Sequence, residues 1–69
     1  MQTKIKELRA RKNLTQEELA QAVGVTRVTI ALLEKGKYNP SLRLAKMISL
    51  ALGEEIDMIF SWEPEELMP

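Results

Sequence analysis

Apolar residues recur at helical spacing along most of the chain. Ile5 and Leu8 share one face of a segment over residues 4–12, and Asn13, a residue that tolerates the left-handed conformation, ends it. Thr15-Gln16-Glu17-Glu18 has the form of a capping box, in which the threonine hydroxyl accepts from the third helical N–H and the glutamate reaches back. A second helix therefore starts at Gln16, turns Leu19, Ala20 and Val23 inward, and stops at Gly24. Only Val25 separates Gly24 from Thr26, the N-cap of a third helix over residues 27–35 that Gly36 closes. Lys37-Tyr38-Asn39-Pro40 reads as a turn, Ser41 caps a fourth helix over residues 42–52, and Gly53 ends it. A short fifth helix over residues 56–60 lacks a good cap, because Glu55 stands in the capping position, and Pro64 is expected to end regular structure near Trp62. Residues 61–63 can extend, with residues 1–3 as their pairing segment. The pattern predicts an all-α fold of five helices in one domain over residues 1–69, with a short terminal strand pair as an option.

The second and third helices, joined across the Gly24 turn, have the layout of a helix-turn-helix. Glycine supplies the positive φ such a turn needs, and the small Ala20 lets the third helix approach. At about 100° per residue, the third helix turns Ile30 and Leu33 inward and Arg27, Val28, Ala31, Leu32 and Lys35 outward. That outer face is apolar where a solvated surface would be polar. Duplex DNA can cover it: Val28 and Leu32 would meet thymine methyl groups, and Arg27 would reach guanine O6 and N7. A partner protein is the alternative cover. Candidate phosphate contacts surround the ridge: Gln16 at the positive end of the second helix, then Thr29, Lys35, Lys37, Tyr38, Asn39 and Arg43.

Net charge is zero, which at first argues against nucleic acid, but its distribution reverses that. All ten Lys and Arg lie in residues 1–46 against four acids, a balance of +6, whereas residues 47–69 hold six acids and no base, a balance of −6. A basic body with an acidic end suits one face that must approach phosphates. There is no cysteine and no histidine, which removes thiolate nucleophiles, disulfides, zinc sites and most general acid–base chemistry. No acidic loop has calcium spacing and no glycine-rich loop would cradle a phosphate, so no enzyme activity, metal or cofactor is expected, and no module for a small-molecule ligand is evident. No apolar run approaches the roughly 20 residues that span a bilayer, and no export signal is visible at the start, so a cytoplasmic location away from membranes is expected. A chain of 69 residues has a thin core. Burying apolar residues against a second copy would help, and Leu44 and Met47, read as lying off the core face of the fourth helix, are expected with Met58 and Trp62 in a homodimer interface. Ile59 and Phe60 are expected to complete the monomer's own core.

Four stretches together resemble one family: Ile5-Lys6-Glu7-Leu8-Arg9, Leu14-Thr15-Gln16-Glu17-Glu18-Leu19-Ala20, Gly24-Val25-Thr26-Arg27, and Glu34-Lys35-Gly36-Lys37-Tyr38-Asn39-Pro40-Ser41-Leu42. The chain is similar, over about residues 3–60, to the Xre/Cro helix-turn-helix family, the lambda-repressor-like domain, and its acidic tail over residues 61–69 looks like that of small stand-alone repressors of the cytolysin-operon repressor type. The resemblance implies a transcriptional repressor that binds palindromic double-stranded DNA as a homodimer. It implies phosphate anchoring by Gln16, base or groove contacts by Thr26, Arg27, Val28 and Leu32, and backbone contacts by Lys35, Lys37 and Asn39. It also implies that Arg9 and Glu34 form a structural salt bridge between the first and third helices. Val28 stands where many relatives carry glutamine, so no operator sequence carries over. An antitoxin or other protein-interaction module on the same fold is the alternative.

Overall fold

The computed structural model describes residues 1–68, so Pro69 at the end of the acidic tail lies outside it. Its elements are β1 (Gln2–Thr3), α1 (Ile5–Arg11), α2 (Gln16–Val23), α3 (Arg27–Glu34), α4 (Leu42–Leu52), α5 (Ile56–Ile59), β2 (Phe60–Ser61) and α6 (Pro64–Leu67). The architecture is the expected mostly helical one, with six helices in place of five and a two-stranded sheet between the chain ends.

Local chemistry sets most helix ends. Thr15 Oγ1 accepts from the Glu18 N–H at 3.0 Å while the Thr15 N–H donates to Glu18 Oε1 at 2.9 Å, so the reciprocal cap expected at α2 is formed. Thr26 caps α3 and Ser41 caps α4 by accepting from the N–H three residues on. α1 starts without a side-chain cap; instead the Lys4 N–H donates to the Ile59 carbonyl at 2.9 Å, extending the pairing of β1 with β2 into the helix start. The observed helices end slightly inside the expected bounds: Lys4 and Lys12 flank α1, Lys35 follows α3, and Phe60 leaves α5 for β2.

The buried core joins Ile5 and Leu8 of α1, Leu19, Ala20 and Val23 of α2, Ile30 and Leu33 of α3, the inner stripe of α4, and Ile59 and Phe60. Three sequence expectations need correction. Leu44 does not lie off the core face of α4: it is only 7% exposed, because Leu44, Ile48 and Leu52 recur every four residues and form one stripe against the other helices. The strand that meets the N-terminal segment is Phe60–Ser61, with Thr3 opposite Phe60 and Gln2 opposite Ser61. With that register the Phe60 ring is buried in the core, as expected. Pro64 does not end regular structure but opens α6 at its first position, where a helix needs no N–H. The Glu63 N–H donates to Glu66 Oε1 at 3.0 Å, closing the first turn. The amino group of Met1 donates to the other Glu66 oxygen; this bond and the one from Glu63 hold the Glu66 carboxyl below the usual carboxylate range.

Two glycines with positive φ separate backbone freedom from space. At Gly24 (φ 77°) a Cβ would meet nothing within 4 Å, whereas at Gly36 (φ 70°) it would overlap the Met1 carbonyl oxygen, which packs beside the end of α3. Gly24→Ala is therefore expected to lose only the left-handed penalty, about 1–2 kcal/mol. Gly36→Ala carries the same penalty plus displacement of the N-terminal segment, and should cost at least about 1 kcal/mol more. Urea unfolding of the two variants checks the order, and equal losses would contradict the close approach.

Candidate nucleic-acid interface

α2 and α3 are joined by Gly24, Val25 and Thr26. The αL conformation at Gly24 reverses the chain, and the fully buried Ala20 leaves room for α3 to cross closely. With Ile30 and Leu33 fully buried, the opposite side of α3 is fixed outward. Arg27, Val28, Leu32 and Lys35 are exposed, Val28 to 57%, while Ala31 between them is half-buried. Thr26 is exposed at the helix start, and its hydroxyl lies 3.2 Å from that of Thr29. The outer face is thus a ridge of two apolar side chains one turn apart, with a guanidinium at one end and an ammonium at the other.

A chain of hydrogen bonds runs beneath this ridge. Arg9 Nε donates to Glu34 Oε2 at 2.6 Å, Arg9 Nη2 to Glu34 Oε1 at 3.3 Å, and Arg9 Nη1 to the Leu14 carbonyl at 2.8 Å. The Arg9–Glu34 pair ties α1 to the end of α3, and both side chains are largely buried. The same carboxylate receives Gln16 Nε2 at 3.0 Å, and Gln16 Oε1 accepts from Arg27 Nη1 at 3.4 Å. Gln16 therefore sits between a buried anion and the exposed guanidinium, with both ends of its amide engaged. The sequence suggests separate roles for Gln16 and Glu34; their contact escapes it because it joins residues 18 apart.

After α3 the chain turns sharply, with the Gly36 N–H bonded to the Leu33 carbonyl and the Lys37 N–H to the Leu32 carbonyl. Lys37, Tyr38 and Asn39 are exposed in this turn, and Arg43 is exposed on the first turn of α4. Asn39 is not free: its Oδ1 accepts from Trp62 Nε1 at 3.3 Å. That places Trp62, expected at a partner's surface, half-buried in its own subunit, stacked on Phe60. Met47 is also half-buried against the core, and Met58 is exposed. On α4 two further apolar residues, absent from the sequence expectations, lie exposed on one side: Leu42, 81% exposed, and Leu50, 68% exposed. Their spacing of eight, offset from the 44/48/52 stripe, is the signal that could have found them.

An open groove of about 500 Å³ runs between the end of α4 and α5, lined by Lys46, Ser49, Leu50, Glu54, Glu55, Ile56 and Asp57. Its acidic lining makes it a poor seat for phosphates. Among the described residues no group of acidic side chains could hold a metal ion, and no helix is long and apolar enough to cross a membrane.

Comparison with known proteins gives a consistent result. A family model described as helix-turn-helix matches residues 5–59. An HTH-type transcriptional regulator of Archaeoglobus fulgidus is 58% identical over 97% of this chain and 94% of its own length. The HTH-type transcriptional regulator YgzD of Bacillus subtilis is 50% identical over 96% of this chain and 98% of its own. Among solved structures, the restriction-modification controller protein C.AhdI of Aeromonas hydrophila aligns with a TM-score of 0.75 and 35% identity, over 83% of this chain and 86% of that one.

Proposed function

This chain belongs to the helix-turn-helix family and is a transcriptional regulator with a DNA-binding fold, and on that premise we propose that it reads a specific palindromic duplex as a homodimer and represses by occupying it. The observation that carries this reading is the outward ridge of α3, with Arg27, Val28 and Leu32 exposed above the buried Ile30 and Leu33. The major groove admits an α-helix presented in this way, with Thr26 and Arg27 at base edges and Val28 and Leu32 at thymine methyl groups. Gln16, Thr29, Lys35, Lys37, Tyr38, Asn39 and Arg43 would face phosphates and fix the register of the helix. Arg9 and Glu34 act inside the protein and touch no DNA. Repression by occupancy asks nothing of the chain beyond these contacts, and the expected place of action is the nucleoid in the cytoplasm. A protein-binding role would use the same ridge, but with Ala31 half-buried only Val28 and Leu32 offer apolar area, too little for the core of a stable protein interface.

Selection of bound duplexes from random DNA, followed by footprinting, tests the reading. It should return an inverted repeat with half-sites about one helical turn, roughly 34 Å, apart. Recovery of no preferred sequence would remove specific recognition, and a single protected half-site would remove the palindrome.

The dimer has its own prediction. With Leu44 committed to the core and Trp62 stacked inside its own subunit, the remaining expected surface is Met58, with the uncovered part of Met47. Sedimentation at micromolar concentration is expected to show a dimer, and Met58→Asp to shift it to monomer while the midpoint of monomer unfolding stays within a few degrees. A wild-type protein that sediments only as monomer would contradict the homodimer.

A further inference from the structure

Asn39 and Trp62 meet from distant parts of the sequence. The Trp62 indole N–H donates to Asn39 Oδ1 at 3.3 Å, and the indole stacks on Phe60 with ring centroids 5.9 Å apart. Phe60 is a core residue whose backbone pairs with Thr3, so the indole is carried by the strand that closes the terminal ladder. Asn39 lies in the exposed turn after α3, outside any helix or strand. A carboxamide has one oxygen that accepts and one nitrogen with two N–H donors, whereas indole can only donate. The bond therefore decides which end of the Asn39 amide faces Trp62 and which faces outward. Among the described residues, no acceptor takes the Nδ2 protons.

We propose that Trp62 is a positioning residue: it holds the Asn39 amide with its N–H donors turned out toward a phosphate oxygen of duplex DNA. The proposal rests on the DNA-binding reading above. It gives Trp62 a role inside its own subunit, and it links the terminal strand pair to the backbone contacts that follow α3. A neutral amide on a phosphate displaces no counterion and reads no base, so its loss should weaken all sequences alike and leave the salt dependence unchanged.

The experiment uses the full chain and the duplex recovered by selection. Trp62→Phe keeps an aromatic ring against Phe60 but removes the N–H. It is expected to remain folded at the temperature of the assay, to sediment as the wild type does, and to bind about three- to tenfold more weakly, as for one neutral hydrogen bond. The slope of log affinity against log salt should not change. Asn39→Ala should lose a similar factor, and the double variant no more than Asn39→Ala alone. Emission from Trp62, the one tryptophan of the chain, should change when duplex is added to the wild type and not when it is added to Asn39→Ala. Wild-type affinity in Trp62→Phe, losses that multiply in the double variant, or a loss accompanied by dissociation to monomer would each overturn the proposal. If wild type binds no duplex at all, the DNA-binding reading itself falls and takes this one with it. If wild type binds, a failure among the variants counts against the role of Trp62 alone.

Discussion

Replacing Arg27, Gln16 and Lys37 together by alanine is expected to weaken binding to the selected duplex by about a thousandfold. That factor combines up to about 3 kcal/mol for Arg27 and Gln16 acting as one unit at a bidentate arginine–guanine contact with about 1 kcal/mol for the Lys37 backbone contact, and about 4 kcal/mol corresponds to a thousandfold. The single changes should differ in kind. Arg27→Ala should relax preference at the base pair it faces, whereas Lys37→Ala should weaken all sequences evenly and make the salt slope shallower by about 0.9, one released counterion. Gln16→Ala should not add independently to Arg27→Ala, because Gln16 Oε1 is the group that Arg27 Nη1 meets at 3.4 Å. Titrations at several salt concentrations against selected and scrambled duplexes separate these effects. Survival of tight binding in the triple variant would mean that a different surface contacts DNA.

The largest expected loss of stability comes from Arg9→Met. Removing the guanidinium leaves the Glu34 carboxylate, whose side chain is 8% exposed, with only the Gln16 amide as partner. An ionised group stranded in that way costs about 3 kcal/mol or more. Scaled for a domain of this size, about 3 kcal/mol lowers the thermal midpoint by roughly 12–24 °C. The double variant Arg9→Met with Glu34→Leu should recover most of the loss, since two apolar groups of similar volume can replace a buried pair at little cost. Thermal and urea unfolding of the wild type, the two single variants and the double variant closes the cycle. A loss below about 1 kcal/mol for Arg9→Met would show that water screens the pair as it does an exposed one.

What the sequence makes legible is local. The reciprocal cap at Thr15 and Glu18, the caps at Thr26 and Ser41, and the left-handed Gly24 each involve residues within a turn of one another, so the letters alone specify them. The inward Ile30 and Leu33, and with them the outward ridge of α3, follow from helical spacing in the same way. Leu44 is misleading because α4 carries apolar residues on more than one side. Which stripe is buried depends on the helices packed against it, and Leu42 and Leu50 take the outer positions instead. Pro64 resembles a terminator because proline breaks a helix from within. Whether it stands inside a helix or at its first residue depends on where the strand before it ends. The bonds joining Gln16 to Glu34 and Asn39 to Trp62 cross 18 and 23 residues and appear only once the elements are packed.

The ladder between Gln2–Thr3 and Phe60–Ser61 has a kinetic side. Much of the helix packing joins elements near one another in sequence, α2 with α3 above all, whereas this ladder joins opposite ends of the chain at a high loop-closure entropy. It is therefore expected to close late during folding and to be among the first contacts to open in a native-state fluctuation, which hydrogen exchange at the ladder amides would register. Because the chain beyond Phe60 carries the indole that meets Asn39, each parting also releases the turn after α3. The looseness of two short strands at the termini is thus felt at a turn halfway along the sequence.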